Sequence, residues 1–144
     1  MQFDPNNQVV KLCAEGMALE GQGKLQQAAE LFNQAWQQAQ DDLEKFTAAH
    51  YVARHQQNAA DKLKWDKTAL EIALKIKDDT IKGTFPSLYL NIAKGNEDLN
   101  NKSEALISYQ LATDYTQYLS NDGYGNMIKQ GIKSGIERLS NGIG

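Results

Sequence analysis

The residues in this chain most able to do chemistry lie in one stretch. His50 and Arg54 are four positions apart, a spacing that sets both on one face of a helix. A histidine beside an arginine could grip a carboxylate or a phosphate, with the guanidinium making a two-pronged contact. Arg54 could equally pair with an acid of the chain itself, such as Asp66, with His50 simply packed. Cys13 is the only cysteine, so no disulfide forms within the chain. A Cys13–His50 nucleophile would need the histidine in hydrogen-bond reach and an oxyanion site, and nothing in the sequence supplies the latter. A zinc site from Cys13, His50 and His55 fails on geometry. Five residues of helix turn the two histidines apart by about 140°. Gly21-Gln22-Gly23-Lys24 lacks the spacing of a phosphate-binding loop. No catalytic residue, cofactor or metal is therefore assigned, and the chemistry is that of binding.

The elements that position these residues repeat. Leu12, Gly16, Leu19, Ala28, Phe32 and Ala35 recur as Tyr89, Ala93, Asn96, Ala105, Tyr109 and Ala112, every one offset by 77. Half that offset is about one helix pair. A weaker middle copy keeps Ala53, Leu70 and Ala73 but places Trp65-Asp66 where a small alanine belongs. Spacings of three and four put each set on one helical face. The small residues mark close crossings within a pair, and Phe32 and Tyr109 fill the space between one pair and the next.

The reading is an all-α, single-domain protein. Three antiparallel pairs are expected over about 8–40, 42–77 and 79–119, with a capping helix over about 123–140. Gly21 and Gly23 end the first helix. Asp41-Asp42 and Asp78-Asp79 serve as acidic caps. Asn100-Asn101 makes the last turn within a pair. Pro86 is expected to kink a helix that begins near Thr80; a start at Phe85 is the alternative. In the last helix Ile128, Ile132, Ile136 and Leu139 form an apolar stripe that would cover the open end of the stack, and Gly131 and Gly135 would let it approach a neighbour closely.

Composition sets the outer limits. A chain of 144 residues can bury roughly two thirds of its unfolded surface without a disulfide or metal. Apolar content of 41% and charged content of 23% are ordinary for a globular protein. A net charge of −3 argues against a nucleic-acid partner. No run reaches the roughly 18 apolar residues of a spanning helix, and Met1–Asn7 is polar and unlike a secretory signal. The expected location is cytoplasmic.

The repeat positions over about 8–119 resemble tetratricopeptide repeats, closely in the first and third pairs and loosely in the second. The segments Ala48–Gln56, Trp65-Asp66, Phe85–Asn91 and Asp122–Gly125 resemble small stand-alone bacterial proteins of that kind. The resemblance implies a right-handed superhelical stack with a concave groove, lined by the first helix of each pair, that holds an extended peptide. Taken with the helical period, it sets Cys13, Met17, Glu20, Thr47, His50, Arg54, Gln57, Ser87, Leu90 and Lys94 along the groove, with Asn91 at its edge. Trp65 is either a wedge between helices or a pocket wall. Tyr124 either reaches the groove mouth or covers the last core layer. The function implied is a non-enzymatic scaffold for a protein or peptide partner or a small acidic ligand, centred on His50, Arg54 and Asn91. Two alternatives stand beside it: a groove closed by the last helix to bind or process a small molecule, and a homodimerisation module.

Overall fold

The computed structural model describes residues 4–143. Among these every regular element is helical. The chain divides into two compact units, one ending at Lys77 and one beginning at Asp78. The first holds α1 (Gln8–Gly21), α2 (Leu25–Gln38), α3 (Asp42–Arg54) and α4 (Ala59–Ala73). The second holds a 3-10 turn (Asp79–Thr84), α5 (Phe85–Asp98), α6 (Lys102–Asp114), a short 3-10 turn (Thr116–Tyr118) and α7 (Gly123–Ile143). No described helix is long and apolar enough to cross a membrane.

Local chemistry sets the helix ends. The Asn7 side chain accepts from the Val9 and Val10 amides at 2.8 and 3.1 Å and starts α1. Asp41 and Glu44 form a reciprocal capping box at the start of α3. Glu44 also accepts from Asn7 Nδ2 at 2.7 Å, which ties the starts of α1 and α3 together. Helix α1 closes with the Lys24 amide donating to the Leu19 carbonyl, and this requires the left-handed φ of +77° at Gly23. The same turn recurs 77 residues later. There the Asn101 amide donates to the Asn96 carbonyl, with Asn100 at φ +64°. Apart from glycine, asparagine is among the few residues that tolerate this conformation.

Pro86 does not kink a helix. A separate 3-10 turn, capped by Asp78, precedes it, and α5 starts at Phe85 with the proline in its first turn. A first-turn amide has no partner inside the helix, so a residue without one fits there. Helix α4 ends at Ala73, short of the expected 77. Helix α6 gives way at Asp114 to turns, and α7 runs on to Ile143.

Consecutive helices α1/α2, α3/α4 and α5/α6 pack as hairpins. Helix α3 leans on the first pair, and α7 leans on α5 and α6 in the same way. The packing is that of helical repeats stacked within each unit. Both stacks turn on one buried ring. Phe32 is fully buried against Gly16, where an added Cβ would lie 2.4 Å from ring carbon Cε1. In the second unit Ala93 replaces that glycine, and Tyr109 finds its room in α7 instead. A Cβ on Gly135 would lie 2.2 Å from the Tyr109 ring. The capping expected of the last helix is met by Ile128, Ile132 and Leu139, which are buried against the α5/α6 core.

Gly135→Ala is therefore expected to lower stability by about 1–3 kcal/mol through overpacking, despite the roughly 1 kcal/mol that alanine adds to helix propensity. Gly131→Ala meets only the tip of Leu90, at 3.3 Å, and should be neutral or stabilising. Paired thermal unfolding curves decide the matter; equal losses at the two sites would contradict the packing described.

Candidate functional site

In the first unit α1 and α3 lie side by side, and residues at spacings of three and four line their seam. Val10, Cys13, Ala14, Met17, Thr47 and Tyr51 enclose a shallow, mostly apolar cleft of about 160 Å³. Tyr51 stands at its centre. Its ring stacks on Phe32, with centroids 4.9 Å apart and planes 12° from parallel. Its hydroxyl reaches Met17 Sδ at 3.0 Å. The Arg54 guanidinium lies over the ring, 5.4 Å from the centroid. Burial raises the phenol's pKa, assisted by Cys13 and opposed by Arg54.

At one end of the seam sits a carboxylate. Glu20, in the last turns of α1, takes Arg54 Nη2 at 3.3 Å and His55 Nε2 at 2.7 Å. The His55 ring in turn lies 5.3 Å from Phe32. Tyr51, Arg54, Glu20, His55 and Phe32 thus form a closed circuit of contacts, to which Met17 is joined through the Tyr51 hydroxyl.

This geometry corrects the expected partner of Arg54, which is Glu20 and not Asp66. The arginine ends α3 on the side facing α1, and Glu20 stands at the matching end of α1. Asp66 lies on α4 and is held by Lys62 at 2.7 Å. It is buried at the place filled by Ala28 in the first pair and Ala105 in the third, and burial raises its pKa against the opposing pull of Lys62.

The arrangement at Glu20 recurs in the second unit. Glu97, at an offset of 77, receives Arg138 of α7 through Nε and Nη2, both at 3.0 Å. It also accepts from the Tyr109 hydroxyl at 2.5 Å. The fork from Arg138 holds the Glu97 carboxyl below its usual range, and burial followed by the nearby Glu97 raises the Tyr109 phenol. In both units a carboxylate closing the first helix of a pair is gripped by an arginine of the next helix to lie on that pair. Arg54 thus has a structural role first, while its half-exposed head keeps donors free to face outward.

His50 is half-buried, packed with Phe46 at 6.5 Å and edge-on to Tyr51 at 5.4 Å. Burial, then the charges of Arg54 and Lys62, lower its pKa. Among the described residues no hydrogen bond joins it to Cys13; Tyr51 is the residue that shares the cleft with the cysteine. Cys13 is buried, and burial pushes its thiol up to about 11. It is protonated at neutral pH and so a poor nucleophile. The Trp65 indole meets Trp36 edge-on at 5.1 Å and packs on the first core.

The remaining expected residues belong to the second unit. Ser87 is half-buried and donates to the Thr84 carbonyl at 3.1 Å. Asn91 is half-buried and Lys94 exposed, one turn apart on α5. Tyr124 is half-exposed in the first turn of α7. Tyr51, the centre of the cleft, was missed by the sequence reading. Its one signal was its spacing, an aromatic four residues after Thr47 and three before Arg54 on the same helix.

Against known proteins, the chain matches no family model, no curated protein and no solved structure.

Two substitutions test the polar groups. The folded state prefers neutral His50, so that contribution is complete above the ordinary pKa of 6.5 and is lost as pH falls through it toward the lower folded value. The wild type should lose urea stability between pH 7.5 and 5.5, and His50→Gln should lose measurably less. Asp66→Ala restores the residue of the other pairs and removes a buried charge, leaving Lys62 half-exposed. Stability should rise by about 1 kcal/mol, seen as an unfolding midpoint a few degrees higher; a fall would show that the ion pair supports the fold.

Proposed function

We propose that this chain is a non-enzymatic, tetratricopeptide-like binding scaffold of the bacterial cytoplasm, and that the α1/α3 seam of the first unit holds a segment of a protein partner. The observation that carries this reading is the cleft itself. It has an apolar floor of Val10 and Cys13 and a rim where Met17 is 47% exposed. Beside it stands an arginine that has neutralised its own acid and still faces solvent. An apolar side chain would enter against Val10, Ala14 and Thr47, beside the Met17–Tyr51 contact, and an acidic group would meet the outward edge of Arg54. Nothing in this mode needs a cofactor. The alternative of a pocket closed by the last helix has less support, because α7 covers the α5/α6 pair as α3 covers α1/α2.

The test is a titration of the ¹⁵N-labelled chain with short peptides that alternate leucine or methionine with aspartate. Shifts should gather at Val10, Met17, Thr47 and Tyr51. Arg54→Ala should weaken binding about fivefold to tenfold, while unfolding moves little because an exposed ion pair is worth at most about 1 kcal/mol. Shifts confined to other faces would overturn the site. Unfolding of Arg54→Ala would leave the arginine with its structural role alone.

A further inference from the structure

Met17 brings a sulfur to the surface of the first unit and shares it with a tyrosine. The residue is 47% exposed, so a small oxidant reaches its thioether. Among the described residues it is the one methionine whose Sδ accepts a hydrogen bond, from the Tyr51 hydroxyl at 3.0 Å. Both side chains line the α1/α3 cleft. The tyrosine is held in turn by its stack on Phe32 at 4.9 Å and by Arg54 over its ring at 5.4 Å, and His50 meets it edge-on. A change at the sulfur is therefore passed from α1 to α3 through a single hydroxyl. Two other sulfurs supply the contrast. Met127 is more open, at 61%, but has no such partner. Cys13 shares the cleft but is buried and protonated, and the thiolate is the form that oxidants attack.

We propose that Met17 is a site of reversible oxidation, and that its sulfoxide remodels the α1/α3 cleft through Tyr51. A thioether has two lone pairs, and the Tyr51 proton engages one. The other attacks an oxygen of hydrogen peroxide. The S–O bond forms as the O–O bond breaks, and the departing hydroxide takes the proton of the transferred oxygen and leaves as water. Sulfur is oxidised and peroxide is reduced. The product carries a strong acceptor in place of a weak one, one bond from the atom that the hydroxyl already meets. The Tyr51 hydroxyl then bonds to the new oxygen, and the rim of the cleft turns from apolar to polar. Two thiols reverse the step: the oxygen leaves as water and the thiols are joined as a disulfide. For a partner segment, whose binding rests on the reading above, an apolar contact is replaced by a polar group that needs a hydrogen bond.

The full chain, ¹⁵N-labelled, is treated with hydrogen peroxide and followed by peptide mass mapping and amide spectra. Sulfoxide should form at Met17 and Met127 and spare Cys13. Amide shifts should extend from Met17 to Thr47, Tyr51 and Arg54 on α3. They should disappear on treatment with dithiothreitol and the two methionine sulfoxide reductases, one for each sulfoxide epimer. Met17→Leu and Tyr51→Phe should abolish the α3 shifts, and Met127→Leu should leave them. Circular dichroism should show the oxidised chain folded. The leucine–aspartate peptides should bind it about tenfold more weakly. A Met17 that resists oxidation, oxidation at Cys13 ahead of it, shifts confined to α1, or α3 shifts that survive either cleft variant each overturn the proposal, as does unfolding on oxidation. If the untreated chain binds no peptide yet the α3 shifts appear and reverse, the binding reading fails and the oxidation site stands. Peptide affinity that oxidation leaves unchanged overturns the remodelling and leaves the scaffold.

Discussion

Both units depend on an aromatic ring set where helices come closest. Phe32 and Tyr109 are fully buried, and each needs a neighbouring position with no side chain. Interiors pack to near-crystalline density, so that room must be built in on one side or the other. The first unit provides it on α1 at Gly16, and the second provides it on α7 at Gly135. Because the glycine of the second unit lies on α7, the last helix is seated by the same contact that holds the inner pairs. It is a working layer of the stack and not an appendage.

The carboxylate grips follow from that seating. Once α3 lies on α1/α2, the end of α3 meets the end of α1, and Arg54 reaches Glu20. Once α7 lies on α5/α6, Arg138 reaches Glu97 and the Tyr109 hydroxyl joins them. The hydroxyl marks the difference between the two rings. Tyr109 carries a donor into the ion pair. Phe32 has none, and His55 completes the first carboxylate in its place. The two clusters solve one problem, a partly buried acid at a helix end, with different neighbours.

The middle pair departs from the pattern where its side chains are most polar. Asp66 occupies a crossing that holds alanine elsewhere, at a cost that Lys62 offsets only in part. His50 packs between Phe46 and Tyr51 with its charged form disfavoured. Local rules broken without structural gain are where function tends to lie. The α1/α3 cleft borders the same pair through Thr47 and Tyr51.

Much of the fold was legible in the chain alone. The 77-residue offset located the repeats, since each helix pair must present the same small and large residues to its neighbours. Asn7, Asp41, Asn58 and Gly23 fixed helix ends through bonds that span only a few residues. Contacts that local are written in local sequence. Pro86 was harder, because a proline fits the first turn of a helix as readily as it breaks an interior one. Which of these applied depended on whether the preceding segment could stay helical. The site was the least legible part. That Arg54 meets Glu20 and not Asp66, and that Tyr51 and not His50 faces Cys13, depends on how α3 is rotated against α1. A rotation of one residue is about 100°, enough to exchange one side chain for its neighbour. That rotation is set by how Phe32, Gly16 and Tyr51 pack together, and residues so far apart in sequence meet only in the tertiary structure.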